Sequence, residues 1–526
     1  MAAEGSQGNI DKGAHNAVSL KLEAVLGDDG LDPIYHAKAS ILNEGIQEIG
    51  MGRYQWGLSI VTGFGWLALV YPEITCGRYV ASYGGLGKLI SGLKIATGLI
   101  LPPLLQEYNF QGPFLKLGQN IGLLVGAAFW GIGSDLWGRR LSFNTTFLII
   151  GLFATVAGAS NSSTTLISLA SVWSIGVGGN IPVDSAIFLE FIPASHQYLL
   201  TVLSIWWAFG QLLGSLVAWP LIGNYSCEIK TPPSCTRASN RGWRYFLYAM
   251  GGLMLALWAI RFFIFRLYES PKYLMGKGKD EEAVDVVHKV AEYNGKSSSL
   301  SVEDLKGVDK DVNEKPSDGK QKAYGSAGRV LERHLSLFDG NHIKPLFATR
   351  KIAISTTLLI ILWGQIPALI GLAFPLLMSV LQQVILSVIG VPGALIAGYM
   401  VEIPLLGRRG TLAISTLLTG IFILVSTTAR TSNALLGWNC AYSFTSNIMY
   451  GVLYALTPEL FPTKDRGTGN AITATANRIF GIMAPIIALY ANLTTSVPIF
   501  ISGAIFIAAA FIALLLPFES RGKASL

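Results

Sequence analysis

The chain has 526 residues, of which 51% are hydrophobic and only 13% are charged, and its formal net charge is +7. A soluble protein would carry roughly a quarter charged residues, so the composition excludes an ordinary soluble domain and predicts an all-α polytopic membrane protein. Basic loops on one side of a membrane account for the positive charge, which leaves no reason to expect nucleic acid as a partner. The four cysteines have no CxxC spacing, and we therefore predict no metal site.

Apolar runs of about 20 residues, the length that crosses a bilayer, recur along the chain and predict twelve spans. We predict a cytoplasmic segment at 1–55 without a secretory signal, six-span bundles at 56–267 and 351–517, and a cytoplasmic tail at 518–526. The first six spans are placed at 57–72 (with a continuation at 95–108), 114–134, 141–159, 164–187, 198–222 and 245–266. The second six are placed at 352–377, 380–401, 411–428, 434–457, 468–491 and 497–517.

A hydrophilic stretch at 268–350 separates the two bundles. Helical spacing of apolar residues predicts an amphipathic helix over 280–293, and the Ser, Lys, Asp and Gly content of 296–328 predicts a flexible linker. The stretch is rich in Lys and Arg, as are the GRR turns at Gly138 and Gly407. By the positive-inside rule this side is cytoplasmic, and both termini lie there.

Glycosylation sequons and two cysteines fall on the opposite, outer side of the predicted topology. The sequons begin at Asn161, Asn224 and Asn492. The outer loop 223–243 contains Cys227 and Cys235, which either form a disulfide in an oxidising exterior or remain free thiols.

An internal duplication is the strongest pattern in the sequence. Gly138 and Gly407 of the two GRR turns are 269 positions apart, and Glu190 and Glu459 are separated by the same 269. Two separate motif pairs with one offset indicate that the halves are structural repeats. Paired six-helix repeats are typical of secondary transporters that rock around a central site.

Several motifs resemble signatures of the major facilitator superfamily. Gly131, Asp135, Gly138, Arg139 and Arg140 match its loop 2–3 motif, and "ESPKYL" after the sixth span resembles a motif of its sugar-porter branch. "GWR" at 242–244 and the Glu459-x-x-Pro462-x-x-x-Arg466 pattern resemble two more motifs of that branch. "GVGGNIPVDSAIFLEFIP" is closer to the metabolite:proton symporters, the niacin-transporter-like and synaptic-vesicle-glycoprotein-like carriers, in a fungal form. The resemblance implies two pseudo-symmetric six-helix bundles and alternating access.

The resemblance also implies a cytoplasmic gate. Asp135 would bond to a helix N-terminus of the opposite half, where a carboxylate is favourable, and Arg139 and Arg140 would join that lock. Gly407, Arg408 and Arg409 form the second-half counterpart of the motif. We expect Glu190, Glu459 and Arg466 to form ion pairs between helices that break as the halves rock.

Two charges stand inside predicted spans, where a charge is a functional hypothesis by default. Asp184 is a candidate proton-titrating carboxylate, and Arg478 is a candidate fixed cation for an anionic substrate. The alternative is that both serve structure only, paired with each other or with backbone. Polar residues expected around the same pathway are Asn180, Gln211, Gln365, Asn447 and Tyr450.

The function expected from these residues is secondary active transport of a small polar metabolite, with an organic anion favoured. We expect a plasma-membrane monomer in contact with lipid, driven by a proton gradient and using no other cofactor. HExxH, Walker and GxSxG motifs are absent from the sequence, so no enzyme is predicted. A sugar transporter, a nutrient receptor and a non-transporting homologue remain open alternatives.

The stretch at 71–94 interrupts the first span with four charges and five glycines. The repeat requires one helix here, because a separate seventh span would move the GRR turn to the wrong side. We therefore interpret 71–94 as an insertion, with an unspliced intron translated into the predicted protein as one explanation. The short junction between spans seven and eight, around 379–383, would be the complementary error.

Overall fold

The computed structural model describes residues 33–69, 99–108, 110–227, 235–313, 344–347, 349–373, 380–461, 466–490 and 497–517. Within these ranges the regular structure is helical and contains no strand. The α-helices are α1 (Pro33–Ile49), α2 (Arg53–Leu69), α3 (Leu101–Glu107), α4 (Pro113–Trp137), α5 (Arg139–Ala157), α6 (Ser163–Phe191), α7 (Leu199–Val202), α8 (Ile205–Tyr225), α9 (Gly242–Ala259), α10 (Pro271–Gly276), α11 (Asp280–Tyr293), α12 (Val302–Asn313), α13 (Arg350–Ala373), α14 (Val380–Met400), α15 (Gly407–Ser426), α16 (Ser432–Leu460), α17 (Arg466–Tyr490) and α18 (Val497–Leu514). A π-helical turn, Ile260–Ile264, follows α9, and 3₁₀ turns lie at Ala194–His196 and Lys344–Phe347.

Long apolar helices dominate the described residues. Six helical segments there are long and apolar enough to cross a membrane: Arg139–Ala157, Ser163–Phe191, Ala194–Tyr225, Gly242–Ile264, Gln382–Met400 and Gly407–Ser426. All six coincide with predicted spans, and α4, α13, α16, α17 and α18 lie on five more. The twelve-span count and the cytoplasmic position of the termini stay predictions.

The 269-residue repeat extends to the ends of individual helices. α6 runs from 163 to 191 and α16 from 432 to 460, so the two helices are related by the same offset at both ends. Their N-caps are related in the same way. Ser162 accepts the N–H of Thr165, and Thr431 accepts the N–H of Ala434, each at 3.1 Å. A side-chain oxygen at this position satisfies a backbone donor that the first turn leaves unpaired, which fixes where each helix begins.

The predicted first span falls on two described helices, α2 and α3, which flank residues 70–98. α2 packs against α6 and α8, while α3 belongs to a separate buried cluster with Trp173 and Trp243. The predicted insertion at 71–94 lies outside the described residues. Of the short junction predicted around 379–383, residue 379 also lies outside them, whereas 380–383 belong to the first turn of α14.

Two segments outside the predicted spans differ from the sequence predictions. The linker predicted at 296–328 is wrong over 302–313, where α12 forms behind a capping box of Ser301 and Asp304. The predicted N-terminal segment contains α1, which the sequence analysis missed. Both helices bury apolar residues against α11, whose bounds are those predicted, and this tertiary packing was not visible in the local sequence.

Helices of the two halves meet along two seams. α4 packs against α17, and α8 packs against α14. At the first seam Asn120 donates from Nδ2 to the carbonyl of Gly481 at 2.8 Å. A Cβ on Gly131 would lie only 2.5 Å from Cβ of Ala471, so this glycine allows the close approach of α4 and α17. We call the end of the bundle with Gly138 and Gly407 the inner end, and the opposite end the outer end.

Candidate functional site

The first GRR turn at the inner end is fixed by backbone geometry and two carboxylates. Gly138 has φ +103° and ψ 150°, a region that is essentially restricted to glycine. Arg139 forms a buried ion pair with Glu190 of α6. Glu269 accepts the N–H groups of Arg139 at 3.1 Å and of Arg140 at 3.4 Å, which places a negative charge at the N-terminus of α5.

The second turn repeats this arrangement at the same offset. Gly407 has φ +57°, and Arg408 lies 3.1 Å from Glu459 of α16 through its Nε atom. Arg408 also contacts Glu402 at 3.1 Å, and Arg409 donates to the carbonyl of Leu514. The ion pairs predicted for Glu190 and Glu459 therefore join neighbouring helices within each half. The side chains of Asp135 and Arg466 lie outside the described part of the chain.

A small cavity lies between the two halves near the inner end. It holds about 30 Å³, enough for one or two waters, and its walls come from α6, α13, α16 and α17. On α17 the cavity residues follow helical spacing, so they share one face. The side chains that line the cavity include Ser185, Trp363, Tyr454, Asn470, Asn477 and Arg478.

Several polar atoms at this cavity have no hydrogen-bond partner among the described residues. They include Nε of Arg478, Oδ1 of Asn470 and Oγ of Ser185. A buried donor or acceptor without a partner is destabilising by about 1–3 kcal/mol, so such groups cluster where water or a ligand satisfies them. The cavity therefore offers a cation, an amide and a hydroxyl to a bound solute.

An aromatic cluster stands beside the cavity and draws on both halves. Tyr454 is the hub, with its ring centroid 5.1 Å from Trp66 of α2 and 4.5 Å from Trp363 of α13. Tyr450 lies one turn earlier on α16, and its ring is 5.1 Å from that of Trp207 of α8. These edge-to-face contacts bring α2 and α8 of the first half against α13 and α16 of the second.

The remaining predicted pathway residues whose side chains are described lie outside the lining of this cavity. Asn180 is fully buried on α6, and neither atom of its amide has a partner among the described residues. Asn447 is 8% exposed and lies close to Gly390 on α14, while Gln211 is half-buried on α8. The side chain of Gln365 lies outside the described residues. Of the predicted set, Arg478 lines the cavity itself.

Asp184 has a different partner from the one considered in the sequence analysis. Its Oδ2 atom lies 2.6 Å from Nη2 of Arg261, and neither side chain has any exposed surface. The alternative that Asp184 and Arg478 pair with each other is therefore wrong for Asp184. Arg261 was missed because it stands near the inner end of an apolar run, where an arginine usually serves as a topological signal.

The outer end contains a second buried cluster that the sequence analysis missed. Glu107, at the end of α3, accepts hydrogen bonds from Arg244 at 2.6 and 2.9 Å, from Trp243 at 3.0 Å and from Asn240 at 3.0 Å. Four donors on one carboxylate anchor α3 to the start of α9. The Trp and Arg of the "GWR" motif therefore bind Glu107 in this chain.

Loops at the outer end hold the predicted covalent sites. The structure joins Cys227 and Cys235 by a disulfide, with Cα atoms 6.0 Å apart. Asn161 and Asn224 are exposed, and the side chain of Arg237 donates to Asn161. Asn492 lies outside the described residues.

Known proteins that resemble this chain are membrane transporters. The family model for sugar (and other) transporters matches residues 119–522. A protein of Ceriporiopsis subvermispora (strain B) named MFS siderochrome iron transporter 1 is 52% identical over 518 residues, covering 94% of this chain and 93% of the relative. The niacin transporter of Acinetobacter baylyi is 25% identical, covering 84% of this chain and 88% of the relative.

A solved structure shares the arrangement of helices. It is the proton:xylose symporter XylE bound to 6-bromo-6-deoxy-D-glucose, with a TM-score of 0.65 and 18% sequence identity. The match covers 90% of this chain and 98% of the symporter. At this identity the likeness establishes the fold and nothing about the solute.

Proposed function

Because the chain belongs to the major facilitator superfamily, in its sugar (and other) transporter family, we propose that it carries a small organic anion across a membrane by alternating access. One observation carries the anionic preference: Arg478 lines the cavity between the halves with a buried Nε that has no partner in the described chain. A guanidinium is always charged and presents a planar fork that matches a carboxylate.

The cavity walls favour a flat solute. Trp363 and Tyr454 line the space beside Arg478, and Nε1 of Trp363 is already used in a 2.8 Å bond to Thr457. Aromatic walls with a few placed polar groups are typical of small-molecule sites. We propose an aromatic or heteroaromatic monocarboxylate, which would enter as the two halves move apart and widen the cavity beyond its present volume of about 30 Å³. Nicotinate is the simplest probe, suggested by the niacin-transporting relative.

A proton gradient is the proposed driving force. Asp184 is the proposed proton-binding group, because it is a carboxylate fully buried in a predicted span. Asn180, one helical turn before it, offers polar atoms along the same helix. The residues proposed to contact the solute are Arg478, Asn470 and Asn477 on α17, with Tyr450 and Tyr454 on α16.

The two ion pairs at the inner end support alternating access. The pairs Arg139–Glu190 and Arg408–Glu459 are related by the repeat. The same rocking motion of the halves would therefore strain both pairs in the same way. We propose that these pairs and the positive-φ glycines form the inner gate. Large apolar side chains such as Trp219 on α8 and Phe511 on α18 are exposed on the outside of the bundle, which supports a monomer surrounded by lipid. The plasma membrane is the proposed location.

Sugar transport is the second candidate. Asn470, Thr473 and Asn477 present hydrogen-bonding groups on one face of the cavity, and such groups suit sugar hydroxyls. Sugars would not require the charge of Arg478, which separates the two proposals.

A binding panel on purified protein in lipid nanodiscs tests the proposal. The probes are nicotinate, benzoate, D-glucose and a ferric siderochrome, the last suggested by the name of the Ceriporiopsis relative. Arg478→Ala should weaken anion binding about 10- to 100-fold, the effect of one charge-assisted hydrogen-bonding group, and Arg478→Lys should retain part of it. Arg430→Ala, which removes an exposed arginine, is the matched control.

The outcomes separate the candidates. Preferential binding of D-glucose, with no effect of Arg478→Ala, would support the sugar alternative. Nicotinate or benzoate binding that survives Arg478→Ala unchanged would overturn the anion site.

A further inference from the structure

A fully buried ion pair lies inside the first half, away from the solute cavity. Asp184 of α6 and Arg261 of the π-helical turn are joined at 2.6 Å through Oδ2 and Nη2. Removing one partner of a buried pair leaves an isolated charge in a water-free site, which is strongly unfavourable. The charge state of Asp184 therefore decides whether Arg261 is held.

Arg261 uses its other donors to bind the backbone of two more helices. Nε donates to the carbonyl of Val61 on α2 at 2.8 Å, and Nη1 donates to the carbonyl of Phe143 on α5 at 3.1 Å. Its guanidinium also stacks on the rings of Phe143 and Phe147, with centroids 3.6 and 4.1 Å away. One side chain thus joins α2, α5, α6 and α9.

α2 is shaped to accept this pair. A Cβ on Gly65 would lie 1.7 Å from Oδ2 of Asp184 and 3.3 Å from Nη2 of Arg261. The missing side chain allows the carboxylate to rest directly against the α2 backbone. One residue further along, Trp66 contacts Tyr454 at the solute cavity, so a shift of α2 at Gly65 reaches that cavity.

The second oxygen of Asp184 is available for a proton. Oδ1 is buried and has no hydrogen-bond partner in the described residues. Arg261 is the ionisable side chain that contacts Asp184 there. The elements packed against α6 carry further ionisable groups. In the first half these are Arg53 and Tyr54 on α2, Lys116 and Asp135 on α4, and Arg139 and Arg140 on α5, and the side chain of Asp135 is not among those described. In the second half they are Cys440, Tyr442, Tyr450, Tyr454 and Glu459 on α16, and Arg466, Arg478 and Tyr490 on α17.

We propose that Asp184 and Arg261 form a protonation switch that locks α2 to α5, α6 and α9 in the deprotonated state and releases it when Asp184 takes a proton. The inference rests on the proposed proton-coupled function and names Arg261 as the positioning residue. One proton adds to the carboxylate, the carboxyl group becomes neutral, and Arg261 keeps its charge. The ionic contact is lost, Arg261 loses its anchor on α6, and α2 becomes free to move against the cavity.

The test measures the lock directly, without a transported solute. Hydrogen–deuterium exchange of the full chain in nanodiscs is followed over α2 between about pH 8 and about pH 5, corrected for the intrinsic exchange rate. In the unmodified protein we expect α2 to be protected at high pH and to exchange about tenfold faster at low pH. Asp184→Asn mimics the protonated state, so its α2 should exchange fast at every pH.

Matched variants separate switching from folding. Glu107→Gln breaks the other buried Arg–carboxylate contact of this half and should keep the pH dependence. Arg261→Lys keeps the charge and should retain a weaker pH dependence, whereas Arg261→Gln should abolish it. Gly65→Ala should shift α2 to the fast-exchanging state, because its methyl group would displace the carboxylate.

Two results would overturn the switch. One is pH-independent protection of α2 in the unmodified protein. The other is an Asp184→Asn variant whose α2 exchanges with the pH dependence of the unmodified chain. Labelled-nicotinate exchange across vesicles, measured without a pH gradient, reports on the proposed function separately: its failure with an intact switch would contradict the anion proposal alone.

Discussion

Glycine at position 138 holds a turn that other residues rarely adopt. With φ +103° and ψ 150°, its backbone lies in a region that costs a residue with a side chain of order 1–3 kcal/mol. The same turn places the N–H groups of Arg139 and Arg140 on Glu269. The backbone conformation of Gly138 is therefore coupled to the contacts of the proposed inner gate.

Gly138→Ala should lower the stability of the protein by about 1–3 kcal/mol, because alanine is strained in this conformation. Thermal unfolding of the detergent-purified protein measures the effect. Gly252→Ala is the matched control, since no atom lies within 4 Å of its added methyl group and the helix interior favours alanine. A Gly138→Ala protein as stable as this control would contradict the strain argument.

The repeat-related ion pairs give a second prediction at residue scale. Glu459→Gln should destabilise the protein by up to about 3–5 kcal/mol, because the buried Arg408 loses its buried carboxylate partner and is left with the half-exposed Glu402. Glu190→Gln should have a similar effect through Arg139. Chemical denaturation of the purified protein measures both.

Glu402→Gln serves as the comparison for this pair, since a half-exposed partner contributes little. Equal losses for Glu402→Gln and Glu459→Gln would contradict the assignment of Glu459 as the principal partner.

Single charges could be recognised in the sequence, but their partners could not. Asp184 and Arg478 interrupt apolar runs and stand out for that reason. Arg261 lies 77 positions from Asp184, and no local pattern joins them. The aromatic contacts of Trp66 likewise depend on helix packing between the halves.

At the scale of elements, α1 packs with α10, α11 and α12 in a helical module outside the predicted spans. Leu42 and Ile49 are buried against this module. Lys38 bridges Asp280 of α11 at 2.6 Å and Asp309 of α12 at 2.7 Å. Burial lowers the pKa of Lys38, but the hydrogen bonds to Asp280 and Asp309 outweigh it, so its pKa lies above the usual 10.5.

Lys38→Met should detach α1, and proteolysis within 33–49 should become faster. A raised lysine pKa means that its stabilising contribution is present below about pH 10.5 and is lost only as pH rises through the higher folded-state value. The effect of the substitution should therefore be constant between about pH 6 and about pH 9. Limited proteolysis at several pH values measures it.

Lys306→Met is the control for α1, because its pair with Glu281 is solvent-exposed and contributes little. Equal proteolysis of the two variants, or a Lys38→Met effect that vanishes at neutral pH, would count against the bridge.

Long, strongly apolar helices were predictable, whereas short polar ones were not. α6 and α16 could be predicted because they are long apolar runs, and the 269-residue offset identifies them as equivalent helices of the two repeats. The burial of α1 depends on contacts more than 240 positions apart in the chain, as between Lys38 and Asp280, and no local pattern indicates them. α11 was predicted because its apolar face is continuous.

For the whole molecule, the predicted membership of the major facilitator superfamily is confirmed by the family match and the fold. The repeat explains most of the architecture, and its main irregularity lies between α2 and α3. One predicted span falls on these two helices, and the residues between them include the stretch 71–94 interpreted as an insertion.

Deleting residues 71–94 should therefore preserve folding and anion binding. Monodispersity on size exclusion and the nicotinate-binding assay measure the result, with an equal-length deletion within the 29-residue α16 as the disruptive control. Loss of folding in the first deletion would contradict the insertion hypothesis, and sequencing of mature transcript would show whether the 24 codons are retained.

Uptake into sealed proteoliposomes tests the central claim, which is gradient-driven transport of an organic anion held by Arg478. The anion that binds best in the panel is supplied outside, with a proton gradient directed inward. The account predicts accumulation above equilibrium by the unmodified protein and by Arg430→Ala, and loss of uptake in Arg478→Ala. Accumulation by Arg478→Ala equal to that of the unmodified protein, or no uptake of any bound anion by the unmodified protein, would contradict it.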